Sequence, residues 1–284
     1  MELVVKVNKL NDINVINNAD AYLLANKHFS YRYDESFCIR KIKQVKSFCK
    51  KNNKKVYVLI NKIFKDDELE SLKHFLIKLK EVDVDGIYFA DLAVFMIAKE
   101  LNIENKCVFY HETFLRNSYD ILTYKSLGIN KIICSKDMNL QDIKNLPIDQ
   151  KDSFGVLAFG YIPLYQSERK IISNYVSLNK LDKKTINSKQ LSLKENTRDD
   201  LYKVIQQNGI SSIFNSEVLS YLPFINELEV NINTFIIDSL FFDSEYINKV
   251  AYIFKNKLDE NELIKLDENI KFSTMFLNER IGLM

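Results

Sequence analysis

The chain predicts an α/β fold, a (β/α)8 barrel of the TIM-barrel type with an insertion before its last strand. Three observations carry that prediction: short apolar, β-branched runs recur along the chain, helical patterns separate most of them, and the units number eight. Parallel strands need a crossover between them, so alternating strands and helices imply parallel pairing. Eight such units close a barrel. A doubly wound open sheet is the alternative that the same alternation allows.

The first run, 3–7, reads Leu-Val-Val-Lys-Val, and comparable runs follow at 21–25, 56–60, 86–89, 107–110, 131–134 and 154–159. Helical patterns are clearest at 35–50, 67–80, 92–101, 118–127 and 140–146. The seventh strand is expected to break at Gly160 and Pro163 and to resume as a helix opened by Ser167. A lysine-rich polar connection over 179–198 leads to an expected helix at 199–208, a short run at 210–214 and a second expected helix around 217–228. The run 234–237 is taken as the eighth strand and 244–256 as its helix, giving one barrel domain at 1–256 and a charged C-terminal appendage at 257–284. No internal repeat or low-complexity linker interrupts the chain.

Forty basic and 38 acidic residues leave a formal charge of +2, so no global field marks the chain as a nucleic-acid or membrane binder. The start, Met-Glu-Leu-Val-Val, lacks the charged and apolar regions of a signal peptide, and no apolar stretch approaches membrane-spanning length. A cytoplasmic protein with no membrane partner is the expectation. The four cysteines form no Cys-x-x-Cys pair and fit a reducing compartment. Cys38 and Cys49, eleven residues apart on one predicted helix, would stand about 16 Å from each other and could not share an ion. No metal site is expected. His-Glu-x-x-His, Gly-x-Ser-x-Gly, P-loop and Gly-x-Gly-x-x-Gly motifs are all absent.

In a (β/α) barrel the site forms at the C-terminal ends of the strands. Those ends supply Arg32, Asn61, Asp91, Tyr110, His111, Glu112, Tyr161, Glu168, Arg169 and Asp238. His111 beside Glu112 suits proton exchange near neutral pH, although a structural histidine fits the same position. Arg32 and Arg169 offer planar donor forks for a carboxylate or phosphate, and serve equally as salt-bridge partners for Asp91, Glu112 or Glu168. Ser167 with Glu168 reads either as a well-capped helix start or as part of a site.

The segment from Phe159 to Tyr175, with Pro-Leu followed by Ser-Glu-Arg, resembles one in the collagenase-like peptidases, peptidase family U32. Further stretches resemble that family in the same order. Among them are Asn18-Ala-Asp-Ala-Tyr-Leu-Leu-Ala25, His28-Phe-Ser-Tyr-Arg32, the strand ending at Asn61, Asp85-Gly-Ile-Tyr-Phe-Ala-Asp91, and Asn117. Leu127 to Ser135, Phe214-Asn-Ser216 and Phe235-Ile-Ile-Asp238 continue the series. The resemblance departs at Asn18 and Ala25, where the family carries glycines, and at the cysteines that in its larger members hold an iron–sulfur cluster, since none follows Cys134 here.

The resemblance implies two activities, a peptidase of unassigned mechanism or the hydroxylation of transfer or ribosomal RNA. The motifs identify neither a nucleophile with its base nor a metal set for a peptidase. The expectation is therefore an accessory or paired subunit in RNA hydroxylation, as at the wobble uridine of tRNA, with no cofactor of its own and a longer, cysteine-bearing family member as partner. A non-catalytic barrel scaffold binding that member is a third reading. On the RNA reading, Glu168, Arg169 and His111 are the candidate catalytic residues, and Arg32, Asn61, Asp91, Glu112, Asn117, Tyr161 and Ser167 the candidate substrate-binding ones.

Overall fold

The computed structural model describes residues 1–111, 115–197 and 199–278. Six strands come first: β1 (Glu2–Lys6), β2 (Ala21–Ala25), β3 (Lys55–Ile60), β4 (Gly86–Phe89), β5 (Cys107–Tyr110) and β6 (Lys131–Cys134). Each pairs in parallel with the next. The long β7 (Phe154–Ser167) pairs with β6, and β11 (Thr234–Asp238) pairs with both β7 and β1, which closes an eight-stranded parallel barrel. The expected (β/α)8 class is therefore the observed one.

Alternation along each strand separates two cores. Val4, Leu23, Leu59, Tyr88, Ile133 and Ile236 form a buried cluster inside the barrel, while their chain neighbours Leu3, Val5, Leu24, Val58, Ile132 and Ile237 join the larger core outside it. Helices α1 (Ile39–Lys51), α2 (Leu69–Val82), α3 (Leu92–Glu100), α4 (Ser118–Ser126) and α5 (Leu140–Lys144) cover the outside of the first six strands. α1 shows why: Ile42, Val45 and Cys49 recur three and four residues apart and are buried in the outer core, with lysines on the other face. At roughly 2 kcal/mol for each large apolar side chain removed from water, such stripes hold the helices to the barrel. Among the described residues, no helix is long and apolar enough to cross a membrane.

Strand β7 corrects one expectation. It does not break at Gly160 or Pro163; it runs on for 14 residues as far as Ser167. Both residues sit at irregularities that the strand absorbs. Gly160 adopts φ +137°, and a Cβ there would lie 2.9 Å from both the carbonyl oxygen and the Cβ of Asp238. Pro163 faces Phe214 between two register shifts, where a missing N–H costs no ladder bond. Ser167 does not open a helix either, because α6 (Ile171–Leu178) begins later, with the Ile171 N–H donating to Ser211 Oγ at 3.1 Å. Gly160→Ala is expected to lose about 1–3 kcal/mol, since backbone strain and the close approach to Asp238 act together. Urea denaturation measures this, and an unchanged midpoint would refute it.

The insertion corrects a second expectation. After the short β8 (Ser192–Lys194), β9 (Leu201–Gln207) and β10 (Ile210–Ser220) form an antiparallel hairpin that extends β7, where helices were expected at 199–208 and 217–228. Leu201, Tyr202, Val204 and Ile205 favour a strand, and Asn208-Gly209, both at positive φ, makes the two-residue hairpin turn. Only a single helical turn, α7 (Ile225–Leu228), remains of the second expected helix. α8 (Ser244–Lys255) follows β11. Residues beyond it add α9 (Asn261–Ile264) and β12 (Phe272–Ser273), which pairs with β10, and Leu263 and Leu277 are buried in the outer core.

Candidate functional site at the barrel mouth

Lys6 and Asp238 end β1 and β11 in direct register, so both side chains enter the upper barrel from adjacent strands. The Lys6 ammonium donates to both Asp238 oxygens at 3.0 and 2.8 Å. Lys6 is only 4% exposed. Its carbonyl accepts from Ser239 Oγ, and the Leu240 N–H donates to Asp238 Oδ1 at 3.0 Å, so the pair is fixed from both strands. Gly160 makes room for the Asp238 backbone beside it.

Arg32 comes from the loop after β2. It is a non-glycine residue at φ 57° and is 8% exposed, a conformation that holds only where neighbours enforce it. They do so on both sides. The Tyr31 N–H donates to Asn61 Oδ1 at 2.8 Å, and Tyr33 exchanges two bonds with the Gln207 amide of the inserted hairpin. Ser30 Oγ donates to the Leu59 carbonyl, tying the same loop to β3. Arg32 Nη1 then donates to Gln166 Oε1 at 2.5 Å, linking the loop to the extended part of β7.

A cavity of about 190 Å³ opens at this mouth, lined by Arg32, Asn61, Tyr110, His111, Tyr165 and Gln166 with Ile63, Ala90, Pro163 and Leu164. A smaller void of about 20 Å³, roughly the space of one water, lies among Lys6, Arg32, Asn61, Tyr110, Tyr161 and Asp238. Aromatic and apolar walls with a few polar groups suit a small planar ligand. Ile63 also borders a groove of about 540 Å³ that runs past Lys27, His28, Lys65, Glu168 and Lys170.

Of the expected site residues, Arg32, Asn61 and His111 meet at the cavity, with the His111 ring stacked on Phe109 at 6.2 Å between centroids. Tyr161 lies below them, stacked on Phe242 at 5.5 Å with the Lys203 ammonium 5.1 Å from its ring centre. Burial pushes the Tyr161 phenol up and the Lys203 ammonium down from their ordinary values. Asp91 instead caps α3, accepting from the Ala93 N–H at 2.9 Å and the Phe64 N–H at 2.8 Å. Asn117 caps α4, accepting from the Asp120 N–H at 3.0 Å. Ser167 Oγ accepts from the Arg169 N–H at 3.2 Å, and Glu168 and Arg169 are exposed on the outer lip. Glu112 lies outside the described residues. Asp91→Ala is expected to cost about 1 kcal/mol, as a lost helix cap does, and thermal unfolding would read the decrease.

Sequence reasoning missed Lys6 and Gln166. A lone lysine inside the apolar run 3–7 was a readable signal for the first. Gln166 was hidden because β7 was expected to end before it.

A polar, aromatic-walled cleft lies at the C-terminal mouth of this parallel (β/α)8 barrel, the end at which sites form in such folds. The sequence profile of peptidase family U32 matches residues 7–278, and the chain belongs to that family. It is similar to the tRNA hydroxylation protein P2 of Bacillus subtilis, 24% identical over 246 residues that cover 85% of this chain and 79% of that one. It is also similar to the 23S rRNA 5-hydroxycytidine C2501 synthase of Escherichia coli, 19% identical over 86% of this chain, which spans only 37% of that longer protein. The solved structure of the U32 peptidase Mk0906 superposes with a TM-score of 0.50 at 13% identity, covering 83% of this chain and 91% of that one, and shares the fold.

Cys49, Cys107 and Cys134 are buried, and burial pushes each thiol up to about 12. The fourth, Cys38, is exposed at the start of α1. Among the described residues, no three His, Cys, Asp or Glu side chains gather to hold a metal.

Proposed function

We propose that this chain is a subunit of an RNA hydroxylation system that holds the target pyrimidine at the barrel mouth and works with a longer, cysteine-bearing family member. The single observation that carries this reading is the cavity where Arg32, Asn61, His111 and Gln166 converge between aromatic walls, in a chain whose relatives include named RNA hydroxylation proteins. A flipped-out base needs both features, a stacking surface and edge-directed donors. In this reading Arg32 and Asn61 hold the base, His111 exchanges a proton with it, and Glu168 and Arg169 meet the flanking strand. The RNA substrate puts the protein in the cytoplasm. A serine, threonine or cysteine peptidase would need such a side chain at the site, and among the described residues the cavity lining contains none.

Nucleoside mass spectrometry of transfer and ribosomal RNA, from a strain lacking this gene and from its parent, tests the reading. Loss of a hydroxylated pyrimidine is expected. An unchanged nucleoside profile would overturn the proposal.

A further inference from the structure

Arg32 is held at its backbone and at its guanidinium by the same part of the chain. The Asn61 and Ser30 bonds fix the loop after β2 only as far as Tyr31, so the turn at Arg32, φ 57°, needs a hold on its far side. Gln207 supplies it. The Tyr33 N–H donates to Gln207 Oε1 at 3.2 Å, and Gln207 Nε2 donates to the Tyr33 carbonyl at 2.5 Å, so the amide pairs with the loop as a neighbouring strand would. The turn of the same hairpin grips the loop again, because Asn208 Nδ2 donates to the Lys27 carbonyl at 2.7 Å and to the Tyr33 hydroxyl at 3.3 Å. Gln206 alternates to the other face, where it accepts from the Ser173 N–H at 3.0 Å and donates to Ser173 Oγ at 2.5 Å, anchoring the hairpin on α6. At the other end, the Arg32 guanidinium donates to Gln166, which lies opposite Ser212 of β10 in the sheet. One insertion therefore fixes both ends of one side chain.

We propose that Gln207 is a positioning residue for the site, acting through Arg32, and that the inserted hairpin is a working part of the barrel mouth. A bulky residue stays in the left-handed region only where its surroundings over-determine it. Without the two Gln207 bonds the loop relaxes, and the guanidinium leaves the cavity it lines. The inference rests on the functional reading above, in which Arg32 meets the substrate, and adds what keeps Arg32 there.

Gln207→Leu keeps most of the bulk and removes both bonds. In the purified full chain, phenylglyoxal modification of Arg32, followed by peptide mass spectrometry, should quicken about tenfold as the side chain leaves its 8% exposed position, the worth of one to two hydrogen bonds. Arg40, exposed on α1, should react at an unchanged rate. In a complemented deletion strain, RNA hydroxylation should fall by about the same tenfold. Adding Gln207→Leu to Arg32→Gly should lower it no further, because glycine adopts the turn unaided and leaves no guanidinium to orient. An unchanged Arg32 rate overturns the inference and leaves the functional reading standing. Faster reaction of Arg32 and Arg40 alike means general loosening and overturns it too. Full hydroxylation with Gln207→Leu, beside a deficit with Arg32→Gly, overturns the positioning role alone, whereas full hydroxylation by both variants removes Arg32 from the site and overturns both readings of it. A double variant whose deficit is the product of the single ones gives Gln207 a role independent of Arg32, which also overturns the inference.

Discussion

Lys6→Met is expected to lower stability by about 3 kcal/mol, the low end of the cost of leaving one member of a buried ion pair alone. Lys6 and Asp238 have side chains only 5% and 22% exposed, and Asp238 Oδ1 also accepts from the Leu240 N–H, which holds the carboxylate beside the ammonium. Methionine fills the space but leaves the carboxylate without its cation. The Lys6→Met, Asp238→Leu double variant removes both charges and should recover most of the loss, because an apolar pair can replace a buried ion pair at little cost. Chemical denaturation of the natural protein and the three variants measures the coupling. Additive losses in the double variant would mean that the pair is not coupled as the structure implies.

Arg32→Gly is expected to separate stability from function. Glycine adopts φ 57° freely, so the substitution releases backbone strain while deleting the guanidinium that lines both the cavity and the void beneath it. Stability should stay level, and RNA hydroxylation in a complemented deletion strain should fall roughly ten- to a hundredfold, the worth of hydrogen bonds from one charged group. Arg32→Lys should recover only part of it, since a single ammonium replaces a planar fork. Full modification by the Arg32→Gly chain would remove Arg32 from the site.

The barrel was legible because its strands are buried on both faces and read as near-continuous apolar runs, from Leu3 to Val7 through Thr234 to Ile237. The hairpin was not. Leu201 to Gln207 carries Lys203, Gln206 and Gln207 on a partly exposed strand, and that mixed pattern overlaps with helical spacing, while the Asn208-Gly209 turn that decides the matter is only two residues long. Gly160 and Pro163 misled for a related reason. Each ordinarily ends a strand, but here Pro163 sits between two register shifts and Gly160 takes a positive φ against the Asp238 backbone, and β7 continues through both.

Counting strand ends found Arg32, Asn61 and His111, since topology alone brings those ends to one face. Which of the remaining polar residues turn inward depends on hydrogen bonds the sequence does not display. Asp91 and Asn117 are spent on helix caps, whereas Gln166, in a segment read as a turn, reaches the cavity.

Photocrosslinking tests the central claim most directly. Short single-stranded RNA carrying one 4-thiouridine is irradiated with the protein, and the modified peptide is identified by mass spectrometry. Crosslinks at Tyr110, His111 or Tyr165 are the predicted result, because these rings wall the cavity at the barrel mouth. Crosslinks confined to the opposite end of the barrel, around Glu2, Tyr57 and Tyr88, would contradict the account.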